Sequence, residues 1–263
     1  MHIKTHPFIS GFVIAMAMAI FYIILTMILH INTENPFIEE LFKKLITTIT
    51  ITIIFCILRK KGVIASTKLK LNLWKGLKDG WLFLLIGTIN IFSFSTNGAH
   101  FRPWSHIICF IVSIMLTGFW EEMLFRGTIL NLCKKNYVAQ HRIKQILPII
   151  FSSFIFSLFH LLNVSSGEVT ISRIVIQMIS VFFTGIYYGA IYTRSSNILA
   201  LIMLHTFQDI TALLKTGLLQ DSGDISDAIS ALSPELALAS FVFIIPATWP
   251  TIKKWLVSNQ KNN

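Results

Sequence analysis

The chain has 263 residues, of which 54% are hydrophobic and only 13% charged, and it carries a formal net charge of +10. Soluble domains hold about a quarter charged residues, so this composition excludes an ordinary soluble enzyme and points to a membrane protein.

Crossing about 30 Å of hydrocarbon takes roughly 17–25 mainly apolar residues in a helix. In chain order, such runs fall at about 8–29, 41–58, 81–94, 107–132, 147–162, 174–192, 198–214 and 236–251. The third is short, and the fourth contains charges. The first follows Lys4 like a signal peptide, but it is too long for an apolar signal core, and "LHINTENP" offers no small-x-small cleavage site. It is read as a retained helix. No stretch between the runs is long enough for a soluble domain. The expectation is one all-α integral membrane domain over 1–263, a polytopic bundle of about eight transmembrane helices with a core at about 104–214.

The basic residues are not spread evenly. Arg59, Lys60, Lys61, Lys68, Lys70, Lys75 and Lys78 fall between the second and third runs. Lys134, Lys135, Arg142 and Lys144 fall between the fourth and fifth, and Lys253, Lys254 and Lys261 follow the eighth. The alternate connections hold Glu34, Glu39 and Glu40, then Asp221, Asp224, Asp227 and Glu235. Basic residues in every second loop put those loops and both termini in the cytoplasm. They also give the protein cationic contacts with anionic lipid headgroups. Nucleic acid is not needed to explain the charge. Cys56, Cys109 and Cys133 are odd in number and widely spaced in apolar surroundings, which suits buried thiols rather than a disulfide framework or a metal motif.

Against this background "GFWEEMLFRGTIL" stands out. Each ionisable side chain at mid-membrane costs on the order of 2.5–3.5 kcal/mol, so Glu121, Glu122 and Arg126 together need a reason. Glu122 and Arg126 are four residues apart and can pair on one helix face, which relieves part of that cost. Glu121 lies about 100° around the helix, with no evident partner on it. Among the histidines, His160 in "FSLFH" and His205 in "LHTFQD" sit inside apolar runs, and Asp209 shares the His205 face. Phe156 stands one turn before His160, so its ring can wall the imidazole. Each feature alone suits structural polar packing. Together, however, two imidazoles and free carboxylates on three helices make the parts of a hydrolytic site, where Ser, Thr or Asn would serve better as mere glue.

"EEMLFR", "FSLFH" and "HTFQD", in this order on successive apolar segments, resemble the motifs of the CPBP intramembrane proteases. That family includes the CAAX prenyl endopeptidases and the bacterial Abi and bacteriocin-immunity proteins. The resemblance covers Glu121 to Asp209 and departs at Asp209, where the prenyl-protein enzymes usually carry Asn. It implies an intramembrane endopeptidase acting on a membrane-associated peptide or protein, in bacteriocin self-immunity or peptide-signal processing. Glu121 would be the general base, with His160 orienting the attacking water. His205 and Asp209 would stabilise the oxyanion, while Glu122, Arg126 and Phe156 support the site. Glu121, His160, His205 and Asp209 are also acceptable zinc ligands, but no HExxH is present, and whether a metal takes part stays open. The lack of eukaryotic-type extensions points to a bacterial cell membrane. Two rivals come from other classes: a non-catalytic immunity or scaffold protein, and a proton-coupled transporter. The absence of internal repeats and of paired Gly/Pro-broken segments weighs against the transporter.

Overall fold

A computed structural model describes residues 5–65, 72–137, 145–166, 170–220, 222 and 234–260. Lys4, Lys68, Lys70, Arg142, Lys144, Lys261, Asp221, Asp224 and Asp227 lie outside the described residues. Among those described the chain is helical, without a strand; Phe101 and Leu219 form an isolated antiparallel bridge. The protein is a polytopic helical membrane bundle.

Each of the eight apolar runs contains a helix: α1 (Pro7–Ile28), α2 (Ile38–Lys60), α4 (Trp81–Phe92), α5 (Trp104–Glu122), α7 (Leu147–Phe159), α8 (Ile171–Ser195), α9 (Ile198–Ala212) and α11 (Pro234–Gln260). Short helices α3 (Leu73–Asp79) and α10 (Leu214–Leu218) precede α4 and follow α9. The segment after α5 continues through a π-helical stretch, Met123–Leu130, into α6 (Asn131–Asn136). Among the described residues, four helices are long and apolar enough to cross a membrane unaided: α1, α2, the continuous Trp104–Asn136 and α8. Trp81–Phe92, Leu147–Asn163 and Ile198–Ala212 are apolar but shorter, and each abuts another helical or turn segment at one end.

Packing follows from side-chain size and from what lipid tolerates. α1 turns Ser10, Gly11 and Ala15 inward and leaves Ile9, Phe12, Met16, Ile20 and Met27 exposed. Such a face suits hydrocarbon, which is as apolar as the side chains themselves. On α8, Gly185 and Gly189 are one turn apart and meet Ser153 and Ile149 of α7. A Cβ at Gly185 would lie 3.0 Å from Ser153 Cβ, so the absence of side chains is what lets the two backbones approach. α8 also packs along α11, and α5 packs between α2 and α9.

The bundle has two distinct ends. At one, Cys133 Sγ meets the Pro7 carbonyl, Lys135 donates to Gly62 O at 2.8 Å and Asn136 to Val63 O at 3.0 Å. There too Lys75 Nζ donates to Arg194 O at 3.0 Å, and Arg194 pairs with Asp79. Burial pushes the Asp79 carboxyl above its ordinary range, while Arg194 acts to lower it. At the opposite end, Arg102 donates to the carbonyls of Thr216 and Leu218, and Ile31 N donates to Glu39.

Candidate active site

The regular α-helical ladder of α5 ends at Glu122, and the next eight residues have i→i+5 bonding. Thr128 Oγ1 donates to Met123 O, five residues back, at 2.9 Å. A π stretch widens the turn and is frequent at functional sites. Here it lies directly after the two glutamates, a departure from the uniform α-helix assumed in the sequence reading.

Glu122 and Arg126 pair across this junction, with Arg126 Nη1 2.8 Å from Glu122 Oε1. Both are buried, at 0% and 1% exposure, so the ion pair has no water to lean on. Its further support comes from protein. Arg126 Nη2 donates to Gly185 O at 3.3 Å, and the guanidinium sits over the rings of Phe156 (4.4 Å) and Tyr188 (5.3 Å). Phe156 therefore does more than wall His160.

His205 completes a chain of contacts. Its Nδ1 is 2.9 Å from Glu122 Oε1, and its Nε2 is 3.5 Å from Glu121 Oε2 and 3.3 Å from Asp209 Oδ2. Ionised carboxylates only accept hydrogen bonds, so the ring protonated on both nitrogens satisfies every one of these contacts. Glu121 thus has a partner after all, from α9 rather than from its own helix. Gly118 permits the meeting: a Cβ there would lie 2.6 Å from Thr206 Oγ1 and 3.2 Å from Thr206 N. With a side chain at 118, α5 and α9 would be pushed apart. Tyr188 stacks on the His205 ring at 5.4 Å between centroids and donates to Gln208 Oε1 at 2.7 Å.

His160 comes from the point where α7 tightens into a 3₁₀ turn, His160–Ser166. The chain stays helical past Leu162 in this tighter form, and His160 lines the same cavity as Glu121. The His160 Nδ1 faces Phe156 O at 3.1 Å. A carbonyl only accepts, so Nδ1 carries the proton, and Nε2 of the neutral ring is an acceptor.

Glu121, His160, His205 and Asp209 all line one cavity of about 410 Å³, together with Phe156. Glu122 and Arg126 lie behind its wall. Trp120 Nε1 and Ser180 Oγ are buried there without a protein partner, so the cavity offers water or a substrate two unused polar groups. Its lining also includes Lys44, Gln177, Tyr188 and Gln208, which the sequence reading did not single out. Gln177 and Gln208 were visible as amides inside apolar runs; Lys44 and Tyr188 gave no comparable signal.

Among the described residues no three His, Cys, Asp or Glu side chains are grouped so as to hold a metal ion. His205 has one nitrogen against Glu122 and the other against two carboxylates, an arrangement of mutual pairs. The residues as placed do not fit a metal centre.

Residues 103–211 match the family model for the type II CAAX prenyl endopeptidases, Rce1-like. Residues 103–211, fewer than half of the 263, are thus an Rce1-like segment. The match starts immediately before α5 and ends in the last turn of α9, so it takes in every helix that supplies Glu121, His160, His205 and Asp209. Searches of curated proteins and of solved structures return no match. The Rce1-like domain supports protease activity in this multi-pass membrane protein, with a peptide or a membrane protein as substrate.

Proposed function

We propose that the protein is an intramembrane endopeptidase that hydrolyses a peptide bond with a glutamate-activated water and without a metal. The observation that carries this reading is the shared cavity, in which two carboxylates and two imidazoles from α5, the 3₁₀ turn after α7, and α9 line one space large enough for water and a peptide segment.

Water in the cavity donates one hydrogen bond to Glu121 and another to the bare Nε2 of His160, which aims its oxygen at the scissile carbonyl carbon. Glu121 takes the proton as the carbon–oxygen bond forms. The His205 imidazolium, paired with Asp209 and Glu122, stabilises the oxyanion by its charge; the preorganised charge needs no rearrangement at that moment. Glu121 then passes its proton to the leaving amine as the carbon–nitrogen bond breaks. Asp209 acts through His205, accepting its hydrogen bond rather than touching the oxyanion. Glu122, Arg126 and Phe156 hold the ring in place.

In the same proposal the loops rich in lysine and arginine face the cytoplasm, with both ends of the chain on that side. The test of the enzyme reading uses membranes containing the full chain and quenched fluorescent peptides bearing an apolar anchor. Cleavage by the unaltered protein and none by Glu121→Gln at equal abundance is expected. Full biological function in Glu121→Gln would instead identify a scaffold.

A further inference from the structure

We infer that the catalytic cavity is entered from the non-cytoplasmic side of the membrane, so that its substrate is a peptide segment presented at the outer face. Its substrate rests on the proposed endopeptidase activity; the direction of entry rests on the fold and on the distribution of charge.

The helix directions settle which end of the bundle each cavity residue belongs to. α1 begins beside Cys133 and Tyr137 at the basic end, through Pro7 and Phe8, so Tyr22 lies toward the other end. α2 runs the opposite way, ending at Arg59 and Lys60, which puts Lys44 near the end remote from them. α7 and α9 both start at the basic end, and their contributions to the cavity come late: Phe156 to Asn163, and His205 to Leu213. α8 reaches the basic end at Arg194, and its contribution, from Gln177 to Tyr188, spans its middle. The other four helices agree. The cavity reaches toward the end remote from the basic one.

Its floor is closed. Beneath His205 and Tyr188 lie Arg126, Leu124, Phe125, Ile129 and Leu130, each exposed by 1% or less. They fill the space between the cavity and the end where Lys135 and Asn136 bond the loop after α2. A chain arriving from that end would have to displace this packing, whereas at the other end the lining reaches the surface at Ala212, which is exposed.

The charge distribution supplies the sidedness. The closed end carries Arg59, Lys60, Lys61, Lys75, Lys78, Lys134, Lys135, Arg194, Lys253 and Lys254, with Asp79 as the acid among them. At the open end, Lys43 and Lys44 are answered by Glu39 and Glu40 on their own helix, and Arg102, Arg173 and Lys215 are the other lysines and arginines described there, making half as many as at the closed end. Such a bias in lysine and arginine orients the closed end toward the cytoplasm.

The test is thiol labelling in intact cells that express the full chain with Cys56, Cys109 and Cys133 replaced by serine. Single cysteines are placed at the mouth (Ala212→Cys), in the cavity wall (Thr117→Cys) and at the basic end (Lys60→Cys), and total protein is measured after denaturation. With a membrane-impermeant maleimide, the first two are expected to label in intact cells as fully as after permeabilisation, and Lys60→Cys at least tenfold more after permeabilisation. Cavity cysteines that react only after permeabilisation overturn the inference. Labelling requires no catalysis, so its outcome is independent of whether the peptides above are cleaved.

Discussion

His205 Nδ1 lies 2.9 Å from Glu122 Oε1, the same oxygen that takes Arg126 Nη1 at 2.8 Å. One buried oxygen therefore joins the structural ion pair to the imidazole that faces the cavity. Glu122 cannot be assigned to stability alone, because losing its charge also loosens the ring that Asp209 and Glu121 contact.

The first prediction follows. Glu122→Gln leaves Arg126 without its counter-charge in a site with no access to water, a loss of roughly 3–5 kcal/mol for a broken buried pair. Abundance and melting temperature are expected to fall. In addition, the folded fraction should cleave more slowly than the unaltered protein. Normal turnover per folded molecule, measured by active protein after size-exclusion chromatography, would show that the Glu122–His205 contact has no bearing on the chemistry.

Glu121→Gln is expected to behave in the opposite way. The carboxylate lines the cavity and supports no buried ion pair as close as that of Glu122, so abundance should stay near normal. Removing a general base costs about 10²–10⁴-fold in rate, and turnover should drop by that much or more. Equal losses of protein and activity in the two glutamine variants would remove the division of labour between the adjacent glutamates.

Much of this was legible in the sequence because membranes make polar residues conspicuous. The i, i+4 spacings of Glu122 with Arg126 and of His205 with Asp209 survive as real contacts, since local helix geometry sets them. Contacts between helices were not legible. Nothing in "EEMLFR" says that Glu122 also meets His205, 83 residues away, or that Tyr188 stacks on that ring. The π stretch was invisible too, because nothing in "MLFRGTIL" distinguishes i→i+5 bonding from an ordinary α-helix. Apolar-run length overstated how far α4, α7 and α9 remain regular helix, since their ends pass into turns and short helices.

Gly118 provides a third prediction, about positioning at a distance from the chemistry. Gly118→Ala places a methyl group against Thr206 Oγ1 and close to Thr206 N, on the face where α5 meets α9. The helices must part by several tenths of an ångström, which lengthens the Glu121–His205 and Glu122–His205 contacts together. Lower melting temperature and reduced turnover are expected. Thr206→Ala in the same chain removes one of the two obstructions and should restore part of both. Unchanged activity in Gly118→Ala would mean that the close approach of α5 and α9 is not needed for the site.

The final prediction concerns Asp209 and the metal. Asp209 Oδ2 is 3.3 Å from His205 Nε2, a distance at which its oxygen accepts a hydrogen bond from the ring N–H. Asp209→Asn keeps an accepting oxygen and loses the charge, so the hydrogen bond weakens from charge-assisted to ordinary. The difference is about 1 kcal/mol, or several-fold in rate. His205→Ala removes the donor itself and is expected to abolish turnover. A zinc ligand would respond differently, because a neutral amide is a much poorer ligand than a carboxylate, and Asp209→Asn would then lose metal and activity together. Dialysis against a chelator, followed by metal analysis and assay, distinguishes the two. Undiminished cleavage after chelation, with several-fold slower cleavage in Asp209→Asn, is expected. Activity that disappears on chelation and returns with stoichiometric zinc would replace the electrostatic role of His205 and Asp209 with a ligand role.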